Sequence, residues 1–250
     1  MRRLRTRLGL DSGYVSRLLR SLEADGLIEV DANKADRRVR TARLTPAGRE
    51  ERRLLDEGSD ELARSLLEPL GESPRRRLVA AMAEVERLLT AALVEIDEVD
   101  PARRDAQLCL RAYVDELATR FERGFDPALS ISAELDELRH PGGAFLLATL
   151  RGEPVGCGAL KFHRDEPTEL KRMWVAETAR GLGIGRRLLE ELESRAAVEG
   201  ASTIRLETNE ALIEAIALYR SAGYVEVDAF NDEPYAHHWF EKRLRRRPKV

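Results

Sequence analysis

The chain has 250 residues, 43% of them hydrophobic and 35% charged, with a net charge of −3; this is enough for two domains with separate cores and unlike a disordered or low-complexity composition. Its two cysteines, Cys109 and Cys157, are too few and too far apart for a disulfide framework or a zinc site, and no segment approaches the roughly 18 apolar residues needed to span a bilayer. The expectation is a cytoplasmic protein without export signal, membrane insertion or bound metal.

Charge is uneven along the chain. Residues 1–50 hold twelve Lys/Arg against seven Asp/Glu, the footprint either of a nucleic-acid binder or of a solvated Arg-rich helix face. Within this stretch Leu4 and Leu8 share a helical face, Gly9-Leu10 turns the chain, and Asp11 is a good N-cap for a second helix. Val15, Leu18, Leu19 and Leu22 line one face of that helix until Asp25-Gly26 stops it, while Tyr14, Ser16, Arg17 and Arg20 lie opposite. The pattern predicts a helix-turn-helix.

Leu27-Ile28-Glu29-Val30 and Arg37 to Leu44 read as two strands around a turn at Asn33 to Asp36, which makes a β-hairpin. Thr45-Pro46 starts a long helix, and Ser73-Pro74 starts another in the same way. In the latter, Leu78, Met82, Val85, Leu88, Leu89 and Ala92 form a continuous apolar stripe.

These features resemble the MarR family of winged-helix regulators: Val15-Ser16-Arg17-Leu18 in the recognition helix, Gly26-Leu27-Ile28 after it, the wing Asp36-Arg37-Arg38, then Leu44-Thr45-Pro46-Ala47-Gly48. The resemblance covers residues 1–92. It implies double-stranded DNA as a partner, with Ser12, Tyr14, Ser16, Arg17 and Arg20 on the duplex and Arg38 reaching into the minor groove. Family members carry further helices ahead of this point and dimerise partly through them. The expectation is therefore either a start upstream of Met1 or a shortened homodimer interface in the N-terminal domain.

Beyond Ala92 the pattern changes. Val94 to Val99 reads as a strand, Asp100-Pro101 as the cap of a helix to about Phe121, and Ala133 to Leu138 as a short helix. Ala144 to Leu150, Val155 to Phe162 and Glu169 to Ala176 are apolar-rich strands bounded by Gly and Pro. A helix from Gly183 to Val198, a strand from Thr203 to Thr208, a helix from Glu210 to Ala222 and two closing strands complete an α/β (α+β) domain with a central mixed sheet.

Arg180-Gly181-Leu182-Gly183-Ile184-Gly185-Arg186 stands between a strand and a helix. Three glycines there let backbone amides converge at a helix N-terminus, as a pyrophosphate needs, although a glycine-rich helix start used only for packing looks the same in sequence. A dinucleotide fingerprint would need glycine where Arg186 stands, and a P-loop would need an absent Gly-Lys-Ser/Thr.

The loop resembles the coenzyme-A motif of the GNAT family of N-acetyltransferases, met by Arg180, Gly183 and Gly185, and the neighbouring motifs follow in order. Glu169-Leu170-Lys171-Arg172-Met173-Trp174-Val175 matches the strand that pairs with the pantetheine arm, and Ala217-Leu218-Tyr219-Arg220-Ser221-Ala222-Gly223-Tyr224 the family's helix end. Over residues 93–250 the resemblance implies acetyl-CoA as co-substrate, held by Met173, Trp174, Val175, Arg180, Gly181, Gly183, Gly185 and Arg186. It also implies Tyr219 as the acid toward the departing thiolate and a backbone N–H, most simply that of Met173, at the oxyanion. Leu212 replaces a frequent family asparagine, so that coenzyme contact is either missing or supplied by Asn209.

Glu169 stands where some members carry a glutamate base. A period of two puts it on one strand face with Met173 and Val175; as a base it would need burial to raise its pKa or a water chain to relay the proton, and the alternative is an exposed strand-end salt bridge. Asn231, Tyr235 and His238, in a polar and aromatic closing hairpin, are the acceptor-binding candidates. The acceptor itself stays open: a free amino acid, a polyamine, a drug-like amine or a protein lysine. Three readings of the whole follow: an acetyltransferase fused to a DNA-binding regulator, a regulator whose GNAT domain only senses a ligand, or an enzyme whose shortened front end binds no DNA.

Overall fold

A computed structural model describes residues 10–32, 40–131 and 133–244. The chain divides into two compact units, Met1–Glu86 and Arg87–Val250. Leu4, Leu8 and Arg38 lie outside the described residues.

In the first unit, α1 (Ser12–Ala24) begins where Asp11 accepts hydrogen bonds from the backbone N–H groups of Gly13 and Tyr14. Of its predicted apolar face only Val15 and Leu19 are buried, against Ile28; Leu18 and Leu22 stay exposed. Strands β1 (Ile28–Ala32) and β2 (Arg40–Leu44) pair antiparallel, Ile28 opposite Leu44. The Thr45 hydroxyl accepts from Gly48 N–H to cap α2 (Pro46–Leu67) and donates to the Gly26 carbonyl at 2.7 Å. Gly48 has to be glycine: a Cβ there would lie 1.9 Å from the Leu27 carbonyl oxygen. The Thr-Pro-Ala-Gly sequence thus ties the start of α2 to the end of the helix-turn-helix.

The next helix, α3 (Glu72–Ala92), contains the unit boundary. It starts at Glu72, so Ser73 lies in its first turn and is not its cap. Its predicted stripe is exposed along its length, Leu89 at 65%.

The second unit is built on a seven-stranded sheet in the order β3-β4-β5-β6-β7-β9-β8, mixed because β6 and β7 alone run parallel. Its strands are β3 (Val94–Glu98), β4 (Gly143–Leu150), β5 (Glu153–Lys161), β6 (Thr168–Val175), β7 (Thr203–Thr208), β8 (Val225–Val227) and β9 (His238–Arg243). Helix α4 (Arg104–Arg120) covers one face, where Ala106, Cys109 and Leu110 meet Phe145, Leu147, Cys157 and Ala159. Helix α5 (Ile184–Val198) covers the other through Leu188, Leu189 and Leu192 against Leu146, Leu160 and Leu170. Helix α6 (Ile213–Ser221) follows β7.

Two predicted helix starts move. Asp100 accepts from Ala102 N–H in a turn of its own, so α4 begins at Arg104; α6 begins at Ile213, three residues later than expected, because Asn209 accepts from Ala211 N–H and holds a loop there.

Candidate active site

Strands β6 and β7 pair only at Thr168–Ile204 and Glu169–Arg205. Beyond that point no strand pairs with this edge of β6, and a cleft opens. A second irregularity changes which side chains face it. Cys157 of β5 pairs with Trp174 and Ala159 with Lys171, so Arg172 and Met173 together stand opposite Gly158. Arg172 takes a left-handed backbone, φ 57°, to make this bulge.

The extra residue resets the alternation. Lys171, paired with Ala159, lies on the α4 face, as does Trp174; Leu170, Met173 and Val175 pack on the α5 face. Glu169 is therefore on the opposite face from Met173 and Val175, contrary to the period-of-two expectation, because a bulge shifts every later side chain by one.

Glu169 sits at the closed end of the β6–β7 pair and lines neither of the cavities described below. Its carboxylate is 2.8 Å from Arg205 Nη2, 3.0 Å from Lys171 Nζ and 3.5 Å from His163 Nε2. Burial raises its pKa, but Lys171 and Arg205 more than offset this and hold it below the ordinary carboxylate value. The burial-raised base anticipated from the sequence is not what the fold builds here.

The wider cleft, about 500 Å³, runs between the N-terminus of α5, β6, α4 and α6. At its mouth Gly181 and Gly183 have φ of 80° and 76°, and a Cβ on either would meet nothing within 4 Å. Gly183 is the N-cap of α5 without a side-chain cap, and the first helical donor is Arg187 N–H to the Gly183 carbonyl. The preceding amides at Ile184, Gly185 and Arg186 thus stand ahead of the helix ladder at its electropositive end. Met173, Trp174, Val175, Arg180, Gly181, Gly183, Gly185 and Arg186 all line this cleft.

The two arginines have partners within the protein. Arg180 Nη2 is 2.6 Å from both oxygens of Glu116, which also accepts from Trp174 Nε1 at 2.8 Å; Arg186 Nη2 donates to Ser221 Oγ. Burial raises the Glu116 pKa, but the bonds from Arg180, Trp174 and Arg120 bring it below the ordinary value.

A second, smaller cavity, about 100 Å³, joins the first at Tyr113, Leu117, Met173, Leu212 and Ala215. Tyr219 lines it from α6, buried against Tyr224 and Phe240. Burial, with Tyr113 and Glu207 nearby, pushes the Tyr219 phenol well above its ordinary pKa; burial pushes Tyr113 up to about 12. Both are therefore neutral phenols at ordinary pH.

Of the closing-hairpin candidates, only Tyr235 reaches this cavity, where it packs with Phe121 and Phe125. Asn231 accepts from Trp239 Nε1, and His238 Nδ1 lies 2.6 Å from Glu226; neither lines a cavity, because both are spent on neighbours within the hairpin and its partner strand. Asn209 faces the second cavity and not the wider cleft, donating to the Tyr235 carbonyl.

Sequence reasoning missed Tyr113, Phe121, Lys171 and Glu207. Tyr113, Leu117 and Phe121 recur every four residues on α4, a visible signal; Glu207 alternates with the buried Ile204 and Leu206 and so reads as solvent-facing.

The arrangement is an α/β domain with an uncapped helix N-terminus suited to phosphate, an apolar arm cleft, and a separate aromatic cavity at its inner end. Its family follows from comparison with known proteins. The model of the acetyltransferase (GNAT) family matches residues 110–224, and that of the MarR family matches residues 1–39. Residues 110–224 thus form a GNAT acetyltransferase domain, and MarR-family sequence precedes it.

The chain is 43% identical over 103 residues to the IAA acetyltransferase of Azospirillum brasilense, covering 41% of this chain and 66% of that protein. It is 34% identical over 93 residues to the human N-acetylaspartate synthetase, covering 37% of this chain and 31% of that protein. The matched stretch thus spans just under two thirds of the first relative and about a third of the second. A GNAT-family acetyltransferase structure from Staphylococcus aureus superposes with a TM-score of 0.52 at 21% identity, covering 61% of this chain and 99% of that one; that likeness shows the fold.

Among the described residues there is no cluster of His, Cys, Asp or Glu that could hold a metal, and no helix long and apolar enough to cross a membrane.

Proposed function

We propose that the C-terminal unit transfers an acetyl group from acetyl-CoA to a primary amine. The observation that carries this is the uncapped N-terminus of α5, with left-handed Gly181 and Gly183, opening on an apolar cleft that meets a second cavity at Met173. The residues present fit the coenzyme: amides of Ile184 to Arg186 for the pyrophosphate, the unpaired edge of β6 for the pantetheine amides, and Arg180 and Arg186 at the rim.

Bound acetyl-CoA supplies the activated thioester carbonyl. Met173 N–H offers a donor to the carbonyl oxygen from a strand edge without a strand partner. Tyr219, neutral because it is buried, donates its phenolic proton to the departing thiolate. Glu169 is not assigned a role in the transfer, because its carboxylate is committed to Arg205 and Lys171.

The N-terminal unit is proposed as a double-stranded DNA-binding module. Tyr14, Arg17 and Arg20 are exposed on α1 away from Val15 and Leu19, with the Arg17 guanidinium 5.9 Å from the Tyr14 ring; Ser12 is exposed at the first residue of α1 and Ser16 is half-buried. The exposed stripe of α3 is the surface a second copy would cover in a homodimer.

Free-thiol release from acetyl-CoA against a panel of amines tests the enzymatic reading. Saturable, amine-dependent turnover supports it. Coenzyme binding without turnover of any amine would favour the regulator that senses a ligand.

A further inference from the structure

Glu207, which lines the second cavity, has one buried carboxylate oxygen that the fold leaves unpartnered. The Glu207 side chain is nine-tenths buried on β7 and lines the cavity shared by Tyr219 and Met173. Its Oε1 is 2.5 Å from Lys171 Nζ, whereas its buried Oε2 has no hydrogen-bond partner. A buried acceptor left without a donor is costly, and a ligand's N–H donor removes that cost.

The other charged groups around the cavity are engaged. Glu233 uses both oxygens on its own loops, accepting from Ser130 Oγ, Ile131 N–H and Tyr235 N–H. Lys171 also lies 3.0 Å from Glu169. Arg172 donates to the Ala133 carbonyl and lies 5.8 Å from the Tyr113 ring. No cation here awaits a carboxylate, and only one anionic oxygen awaits a cation.

Beyond Glu207 the cavity wall is aromatic. Phe121, Phe125 and Tyr235 pack with ring centroids 4.9 to 5.8 Å apart, and the Tyr235 hydroxyl is fixed by Asp126 N–H.

Building on the acetyltransferase reading, we infer that Glu207 Oε2 seats the acceptor's amino group and that the acceptor is a single primary amine on a small aromatic body, without a carboxylate. A polyamine would need further anions, and an amino acid would need a cation, that the cavity does not supply. On transfer, one ammonium proton passes to Glu207 Oε2 and on to solvent. The second nitrogen proton, lost as the amide forms, restores the phenol of Tyr219, which has given its own proton to the thiolate.

The test uses the full chain, first titrated with coenzyme A and then assayed for thiol release with phenethylamine, phenylalanine, spermidine and a lysine-containing peptide. Phenethylamine should show the highest kcat/KM. Glu207→Gln should lower it roughly a hundredfold, within the range of general-base losses, with coenzyme Kd unchanged. Because Glu207→Gln leaves the buried Lys171 with Glu169 as its remaining ion partner, the paired variant Lys171→Met/Glu207→Gln removes both charges and should fold while showing the same loss.

A flat coenzyme titration would overturn the acetyltransferase reading and this inference with it. Normal coenzyme binding with spermidine, the peptide or phenylalanine as the best acceptor would overturn this inference alone. So would wild-type amine kinetics in either folded variant.

Discussion

Replacing Gly183 by Asp puts a negative charge at the uncapped N-terminus of α5 while leaving the surrounding packing untouched. A Cβ at Gly183 meets nothing within 4 Å, so the steric cost is confined to its left-handed φ of 76°. That conformation costs a non-glycine residue about 1–2 kcal/mol, and an acidic group at a helix N-terminus returns about 0.3–1 kcal/mol. The unit should therefore stay folded.

Two like charges about 5 Å apart at an effective dielectric near 20 repel by about 3 kcal/mol. If the amides of Ile184 to Arg186 cradle a pyrophosphate, coenzyme affinity should fall roughly a hundredfold. Gly183→Ala pays the same backbone cost without the charge and should bind within a few-fold of wild type. Calorimetric titration with coenzyme A separates the two. Equal affinity for Gly183→Asp and wild type, with both proteins folded, would refute the phosphate cradle.

Tyr219→Phe keeps the packing against Tyr224 and Phe240 and should lose roughly 10²- to 10⁴-fold in kcat with coenzyme Kd unchanged; wild-type turnover would return Tyr219 to the core. Since burial raises the Tyr219 pKa, its rate profile should show no fall from phenol ionisation below about pH 10, near the free-tyrosine value, as stopped-flow thiol detection can check. Glu169 has a depressed folded-state pKa, so its stabilisation is present above the unfolded value of about 4.3 and is lost as pH falls through the lower folded one. Thermal melts between pH 3 and 6 should thus show a weaker pH dependence in Glu169→Gln than in wild type. On DNA, Arg17→Ala and Arg20→Ala should each weaken binding and lower the salt slope by about 1; gel shifts across a salt series that show no binding by wild type would end the DNA reading.

Much of the fold was legible in local chemistry. Asp11 and Thr45 cap their helices because a short oxygen-bearing side chain can reach an orphan N–H two or three residues on, which is a property of the chain alone. Gly181, Gly183 and Gly185 marked a phosphate-ready helix start for a similarly local reason: their spacing sets where amides can converge. The alternation of strands and helices beyond Ala92 likewise follows from periods of two and 3.6 that need no tertiary partner.

The assignment of side chains to the site did not follow. The bulge at Arg172 and Met173 reverses the alternation of β6, which turns Glu169 away from Met173 into an ion-pair cluster with Arg205. Whether a strand bulges depends on its pairing with β5, and no single segment contains that information. Glu207 looked solvent-facing within Thr203–Thr208 and became a cavity wall only because β6 and β7 part after two residue pairs beneath the Tyr113 face of α4. Local sequence thus determined which elements form and where they begin. Tertiary structure decided which face of each element looks into the cleft, because facing is set by register and packing between segments distant along the chain.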